Sequence, residues 1–225
     1  MDFPEFKLNV NGVPFMTGCL ERVSQCGALA GVPQWNGQSE ACPILRRELW
    51  ATQAHHREYE WSDNDQGNTP SCTLASLANH GEFFLARMGR AKTNLDWLKA
   101  WRTLSGGYGG VALDTALRYA MTEGFPLSDG SGALIVDEVW DLPRIDAVFS
   151  AVMRGVPVWF GASQHAECGM TVVKNGGFKL DVRGTWGRGY GDQGWYGRSE
   201  SYIARGLPLY GAFAIRTWKL RSIDL

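Results

Sequence analysis

Cys72 stands where a thiol can become a nucleophile. It belongs to the run Asp65-Gln66-Gly67-Asn68-Thr69-Pro70-Ser71-Cys72-Thr73-Leu74-Ala75-Ser76. Asn68 or Thr69 can cap a helix there, and Pro70 suits its first position. Leu74, Leu77, Ala78, Phe84, Leu85 and Met88 follow at helical spacing. Cys72 then falls in the first turn, where backbone N–H groups without intrahelical acceptors and the helix dipole favour thiolate over thiol. A thiolate is the attacking species in acyl transfer. The N–H of Cys72 points towards an oxyanion formed beside the sulfur, and Gln66 on the approaching loop supplies a side-chain N–H donor. Losing one such donor costs about 10²–10³ in rate.

This segment resembles the nucleophile motif of the papain-like cysteine peptidases: Gln-Gly, four residues, then Cys at the head of a long central helix. The resemblance implies Cys72 as nucleophile and Gln66 as oxyanion donor. Thr69 stands where the family usually has a disulfide-forming Cys. Gly106-Gly107-Tyr108, ahead of an Ala-rich helix, is similar to the Gly-Gly segment that lines the family's substrate cleft, so Gly106 and Gly107 are expected there. Arg183-Gly184-Thr185-Trp186-Gly187-Arg188-Gly189-Tyr190-Gly191-Asp192-Gln193-Gly194-Trp195 resembles the family's Asn-Ser-Trp-Gly-x-x-Trp-Gly-x-x-Gly loop, with Trp186 under the cleft and Tyr190 for the second Trp. The three segments occur in the family's order over about residues 55 to 216. A buried, unreactive Cys72 is the plainer reading of a lone cysteine, and Gln66 and Ser71 in register count against it.

Two family positions are occupied differently. Gly184 stands where the Asn that orients the catalytic His is expected. Counting back from Trp186, the His position falls at Cys168 or Gly169, and neither can act as imidazole does. His165, a few residues earlier in Ser163-Gln164-His165-Ala166-Glu167-Cys168, is the candidate base if the intervening loop is compact. Asp181 is near in sequence, but on a strand its side chain need not face the His. His55-His56 with Glu58 has the residue types of a metal site, yet adjacent residues of a strand point to opposite faces. The expectation is of no metal and no cofactor. His80, two turns past Cys72, is expected at solvent or between lobes.

The elements that must carry these residues follow from periodicity and turn residues. Phe6 to Phe15 looks like a hairpin turning at Asn11-Gly12. Helices are predicted from Pro70 to about Met88, from a Thr93 cap to Leu104, over Val111 to Glu123, and from an Asp141 cap to Gly155. Strands are predicted at Val156–Phe160, Met170–Val173, Phe178–Val182, Ser201–Ile203 and Phe213–Arg216. Helices precede antiparallel strands, so the predicted class is α+β, a helical lobe followed by a sheet lobe. Residues 1–54 read as an N-terminal extension that wraps the domain or meets a partner, and 55–225 as the papain-like domain.

Composition narrows the function classes. The chain has 225 residues and a net charge of −1, with no Lys/Arg cluster, so a nucleic-acid footprint is absent. No apolar run approaches the ~20 residues of a membrane span. No secretory signal is visible at Met1-Asp2-Phe3-Pro4-Glu5. Five Cys without a CxxC pair suit a reducing compartment, and a cytoplasmic or particle-assembled protein is expected. Partners are expected to be proteins or peptides. With the Asn replaced, the His displaced in register and a long extension, the lead expectation is a degenerate papain fold with a structural or binding role in a larger assembly, for example a virus or phage particle. The alternative is an active cysteine peptidase or amidase using Cys72, His165 and Gln66.

Overall fold

Helix α1 (Cys72–Arg87) is buried along its whole first three turns, Cys72 through Phe83. A helix covered on every side must satisfy its polar side chains internally. The Thr73 hydroxyl donates to the Val111 carbonyl at 2.7 Å. Ser76 accepts from Trp159 Nε1 at 2.9 Å, and Asn79 Oδ1 accepts from Asn64 at 2.8 Å. The computed structural model describes residues 7–10, 13–16, 19–20, 44–51, 57–59, 63–90 and 93–222.

A seven-stranded antiparallel sheet packs against α1. Its strands are β5 (Phe125–Pro126), β6 (Gly132–Asp141), β7 (Val158–Ala162), β8 (His165–Lys174), β9 (Phe178–Arg183), β10 (Trp195–Ser199) and β11 (Ala212–Ser222). They lie in the order β10-β9-β8-β7-β11-β6-β5. Helices α1, α2 (Trp97–Ser105) and α3 (Leu113–Thr122) cover one face, and α4 (Ile145–Met153) and α5 (Glu200–Tyr210) the other. The period-2 pleat sorts side chains between the two cores. Trp159, Phe213 and Ile215 enter the α1 core, while Val158, Phe160, Ala212 and Ala214 enter the α4/α5 core. Each large side chain fully buried this way contributes about 1.5–3 kcal/mol relative to exposure. The α+β class with helices against an antiparallel sheet is as expected, although α4 and α5 place helices among the later strands.

Several boundaries differ from the sequence expectation. Helix α1 starts at Cys72, with Ser71 in the N-cap position but making no side-chain capping bond, so Pro70 precedes the helix. Helix α2 begins at Trp97, where Asp96 accepts from the Lys99 N–H at 3.0 Å, a stronger cap than the expected Thr93. Asp141 ends β6 instead of capping α4. Ser201-Tyr202-Ile203 lies inside α5, not in a strand: the Ser199 hydroxyl accepts from the Tyr202 N–H, and Ile203, Gly206, Leu207 and Tyr210 are buried at helical spacing. Strand β6 was not expected at all, and β11 runs well past the predicted Arg216.

The N-terminal part contributes β1 (Lys7–Val10) and β2 (Val13–Met16), paired antiparallel as the hairpin pattern predicts; the Asn11-Gly12 turn lies outside the described residues. Strand β3 (Cys19–Leu20) pairs parallel with β4 (Val111–Ala112), which leads into α3. Residues 44–51 lie against α4, with the Leu45 N–H donating to Ser150 Oγ at 3.0 Å and Trp50 stacked on Phe149 at 5.0 Å. His55 and His56 are outside the described residues, among which no three His, Cys, Asp or Glu side chains gather as a metal site. No described helix is long and apolar enough to cross a membrane.

Candidate active site

The loop entering α1 is tied to the Trp186 loop through Gln66. The Gln66 N–H donates to the Thr185 carbonyl at 2.9 Å, and Gln66 Oε1 accepts from the Thr185 hydroxyl at 2.5 Å. Gln66 Nε2 donates to the Thr69 carbonyl at 2.8 Å, so one of its two N–H groups is spent inside the loop. Gly67 has φ 53°, and Gly187, with φ 72°, would place a Cβ 2.6 Å from Asp65 Oδ2. A side chain is excluded at Gly187 by contact with Asp65, and is strained though not crowded at Gly67. Cys72 is fully buried as the first residue of α1.

His165 heads β8. Strands β7 and β8 are joined by only Ser163 and Gln164, both with positive φ (51° and 62°). That is the twist a two-residue hairpin demands, carried here without glycine. The ladder between β8 and β9 sets Cys168 opposite Arg183, and continued towards the start of β8 it sets His165 opposite Trp186. The rings stack at 4.2 Å with 21° between planes. Cys168 sits three places further on, in an apolar cluster with Phe83, Met170 and Trp195. Counting back from Trp186 points to Cys168 or Gly169, whereas β8 begins at His165 and carries a bulge between Gly169 and Thr171.

Neither ring nitrogen of His165 has a hydrogen-bond partner among the described residues, the Cys72 sulfur included. Burial, followed by the nearby Arg198 charge, pushes the imidazole down to about 3, so it is neutral at ordinary pH. Asp181 is engaged by Arg57 at 3.1 Å, not by the imidazole. His80 is buried within the fold, between the Pro157 carbonyl (3.2 Å) and Trp218 Nε1 (3.3 Å), and burial lowers it to about 4.

The space beside Gly184 is filled. A Cβ there would stand 2.5–2.9 Å from the Tyr196 ring and hydroxyl. Tyr196 stacks on Trp186 at 6.0 Å and donates to Glu167 Oε1 at 2.9 Å. Fully buried Glu167 also accepts from Arg198 Nε at 2.8 and 2.9 Å and pairs with its Nη2. Gly106 and Gly107, both in the left-handed region, form the cap of α2. The strand next to the site is β4, behind a second pair, Gly109-Gly110.

A residue that sequence reasoning passed over completes the site. The Cys19 N–H donates to the carbonyl of Gln164, the residue before His165, at 2.9 Å. Its ladder partner Val111 accepts at 2.7 Å from the hydroxyl of Thr73, the residue after Cys72, and Cys19 and Cys72 are buried in one core cluster. Nothing local to Cys19 marks it; the second glycine pair before Val111 was the available sign of where a strand would be received.

Solved structures of low sequence identity share this arrangement of elements. Procathepsin B S9 from Trypanosoma congolense aligns over 90% of this chain and 86% of its own, with TM-score 0.64 and 15% identity. Xylellain, a cysteine protease from Xylella fastidiosa, aligns over 92% and 96%, with TM-score 0.61 and 13% identity. Digestive procathepsin L 3 of Tenebrio molitor larval midgut aligns over 83% and 76%, with TM-score 0.62 and 17% identity. No protein-family profile and no curated protein sequence matches the chain. The fold is that of the papain-like cysteine peptidases.

Proposed function

We propose that the protein is a papain-type cysteine peptidase or amidase acting on a protein or peptide, held covered by its own N-terminal segment. The observation that carries this is His165: it heads β8, stacks on Trp186, and keeps both ring nitrogens out of every hydrogen bond among the described residues. A buried imidazole left so is costly unless a partner arrives in another state. With β3 lifted, His165 takes the Cys72 proton, and the thiolate attacks the carbonyl carbon. The Cys72 N–H and the Gln66 side-chain amide receive the oxyanion once the covering strand has moved. The C–N bond breaks as His165 returns the proton to the leaving amine, and water then cleaves the thioester. The Trp186 stack takes over the orienting task of the missing Asn. On this reading residues 1–54 are an extension wrapped over the domain of residues 55–225.

Two observations favour a second reading. Tyr196 fills the space of the orienting side chain, and Arg198 opposes an imidazolium at His165. A fold fixed in that state is a non-catalytic part of a larger assembly, such as a particle. Labelling of Cys72 by iodoacetamide at about pH 5.5, where an ordinary thiol of pKa ~8.5 is hardly ionised, separates the two. The peptidase reading expects Cys72 to label faster than a small free thiol in the reduced Cys19→Gly chain, and peptide hydrolysis to vanish in Cys72→Ala. Labelling no faster than the small thiol in that chain refutes it and leaves the assembly reading.

A further inference from the structure

Cys19 is held at three points around the nucleophile. Its backbone pairs with Val111 across the parallel β3–β4 ladder. Its N–H is fixed to the Gln164 carbonyl at 2.9 Å. Its thiol stands against Gly161, where a Cβ would come 3.0 Å from the sulfur, and its ladder partner Val111 accepts at 2.7 Å from the hydroxyl of Thr73, the residue after Cys72. Both cysteines are buried in the same core cluster, whereas Cys168 belongs to another, with its sulfur on Met170 Sδ at 4.0 Å. The fold therefore brings Cys19 to the start of α1 on a strand that, among the described residues, pairs with β4 at two positions.

We propose that Cys19 and Cys72 form a reversible disulfide, making this site a thiol–disulfide switch whose oxidant is a low-molecular-weight disulfide. The exchange starts when β3 lifts, because the covered Cys19 thiol is pushed well up by burial and then by Cys72, and so stays protonated. The Cys72 thiolate attacks one sulfur of the small disulfide, forming a mixed disulfide and expelling one thiolate. The Cys19 thiol then gives its proton to solvent and attacks the Cys72 sulfur, expelling the second thiolate. Two protein thiols and one small disulfide become one protein disulfide and two small thiols, with two electrons passing from protein to oxidant. Closure locks β3 over the site and removes the nucleophile. The bond itself stands without the peptidase reading; only its effect on hydrolysis rests on that reading.

The test uses the full wild-type chain equilibrated in glutathione buffers of graded ratio, acid-quenched, alkylated and digested without reduction. The expected result is a Cys19–Cys72 linked peptide that dominates over linkages to Cys26, Cys42 or Cys168, disappears with dithiothreitol, and falls to the share of the other pairings in urea. In Cys19→Ser, Cys72 should instead hold a lasting mixed disulfide with glutathione. Cys72 recovered alkylated or only as the mixed disulfide in the wild-type chain overturns the proposal, as does equal linkage in urea and in buffer. Peptide hydrolysis measured on the same samples separates the two ideas. Linkage with no hydrolysis after reduction leaves the switch and removes the peptidase; hydrolysis without linkage does the reverse.

Discussion

Two buried histidines should make this fold sensitive to mild acid. His165 and His80 are held neutral, down to about 3 and about 4, chiefly because burial penalises the imidazolium. In the unfolded chain each returns to about 6.5. Above that value neither state binds the proton, and the histidines' contribution to stability is fully present. As pH falls below it, the unfolded state gains protons that the folded state refuses, so stability is lost. The loss levels off only near about 4 for His80 and about 3 for His165. At pH 5 the unfolded value lies ~1.5 units above ambient, worth ~2 kcal/mol for each histidine at 1.36 kcal/mol per unit. Together they should remove about 4 kcal/mol between pH 7 and 5, a large part of the 5–15 kcal/mol typical of a domain. Urea unfolding followed by Trp fluorescence at pH 7, 6 and 5 measures this. His80→Gln and His165→Gln should each halve the decline, which isolates the histidines from the carboxylates. A wild-type decline below ~1 kcal/mol, or one unchanged in both variants, refutes the reasoning.

Two further outcomes follow from the neighbours of His165. Glu167→Gln leaves Arg198 without its counter-charge and should cost about 3 kcal/mol, the lower end for a broken buried pair because Arg198 keeps some contact with water. Adding Arg198→Met should recover most of that loss, and urea midpoints that fall equally in single and double variants contradict the pairing. Gly184→Ala should cost about 1–3 kcal/mol by overpacking against Tyr196, whose ring is fixed by Glu167 and Trp186. The same change should become tolerable in a Tyr196→Ala background, and an unaltered urea midpoint for Gly184→Ala alone contradicts the filled-space account.

What the sequence made legible was local, and what it concealed was register. Cys72 at a helix start, Gln66 before it and the Trp186 loop are contiguous motifs, and each is found on the element expected. The place of His165 depends on how many residues separate two paired strands. Ser163 and Gln164 adopt left-handed conformations that nothing in their side chains demands, and the bulge after Gly169 adds a residue to the count. Strand β6 is concealed in another way: Ala133 to Trp140 is rich in β-branched residues, but Asp141 at its end is equally suited to cap a helix. Cys19 reaches the start of α1 through a parallel ladder between segments some ninety positions apart, Cys19 to Val111, and no window of sequence holds both.

On the proposed reading, access and activation arise from one movement. His165 is neutral because it is buried and because Arg198 is close, and Cys72 is fully buried in the core cluster that also holds Cys19, whose N–H is anchored at Gln164. Lifting β3 admits water to the imidazole, which moves its pKa back up towards the ordinary range, where it can take a proton from a thiol. The Arg198 charge opposes this, but Glu167 accepts three hydrogen bonds from Arg198 and neutralises much of it. Glu167 thereby does by charge part of what the absent Asn would do by hydrogen bonding, leaving orientation to the Trp186 stack. A peptidase built this way should lose rate when Glu167 is neutralised even where the fold survives, because the uncompensated Arg198 would hold the base in its deprotonated form and withhold the proton the leaving amine requires.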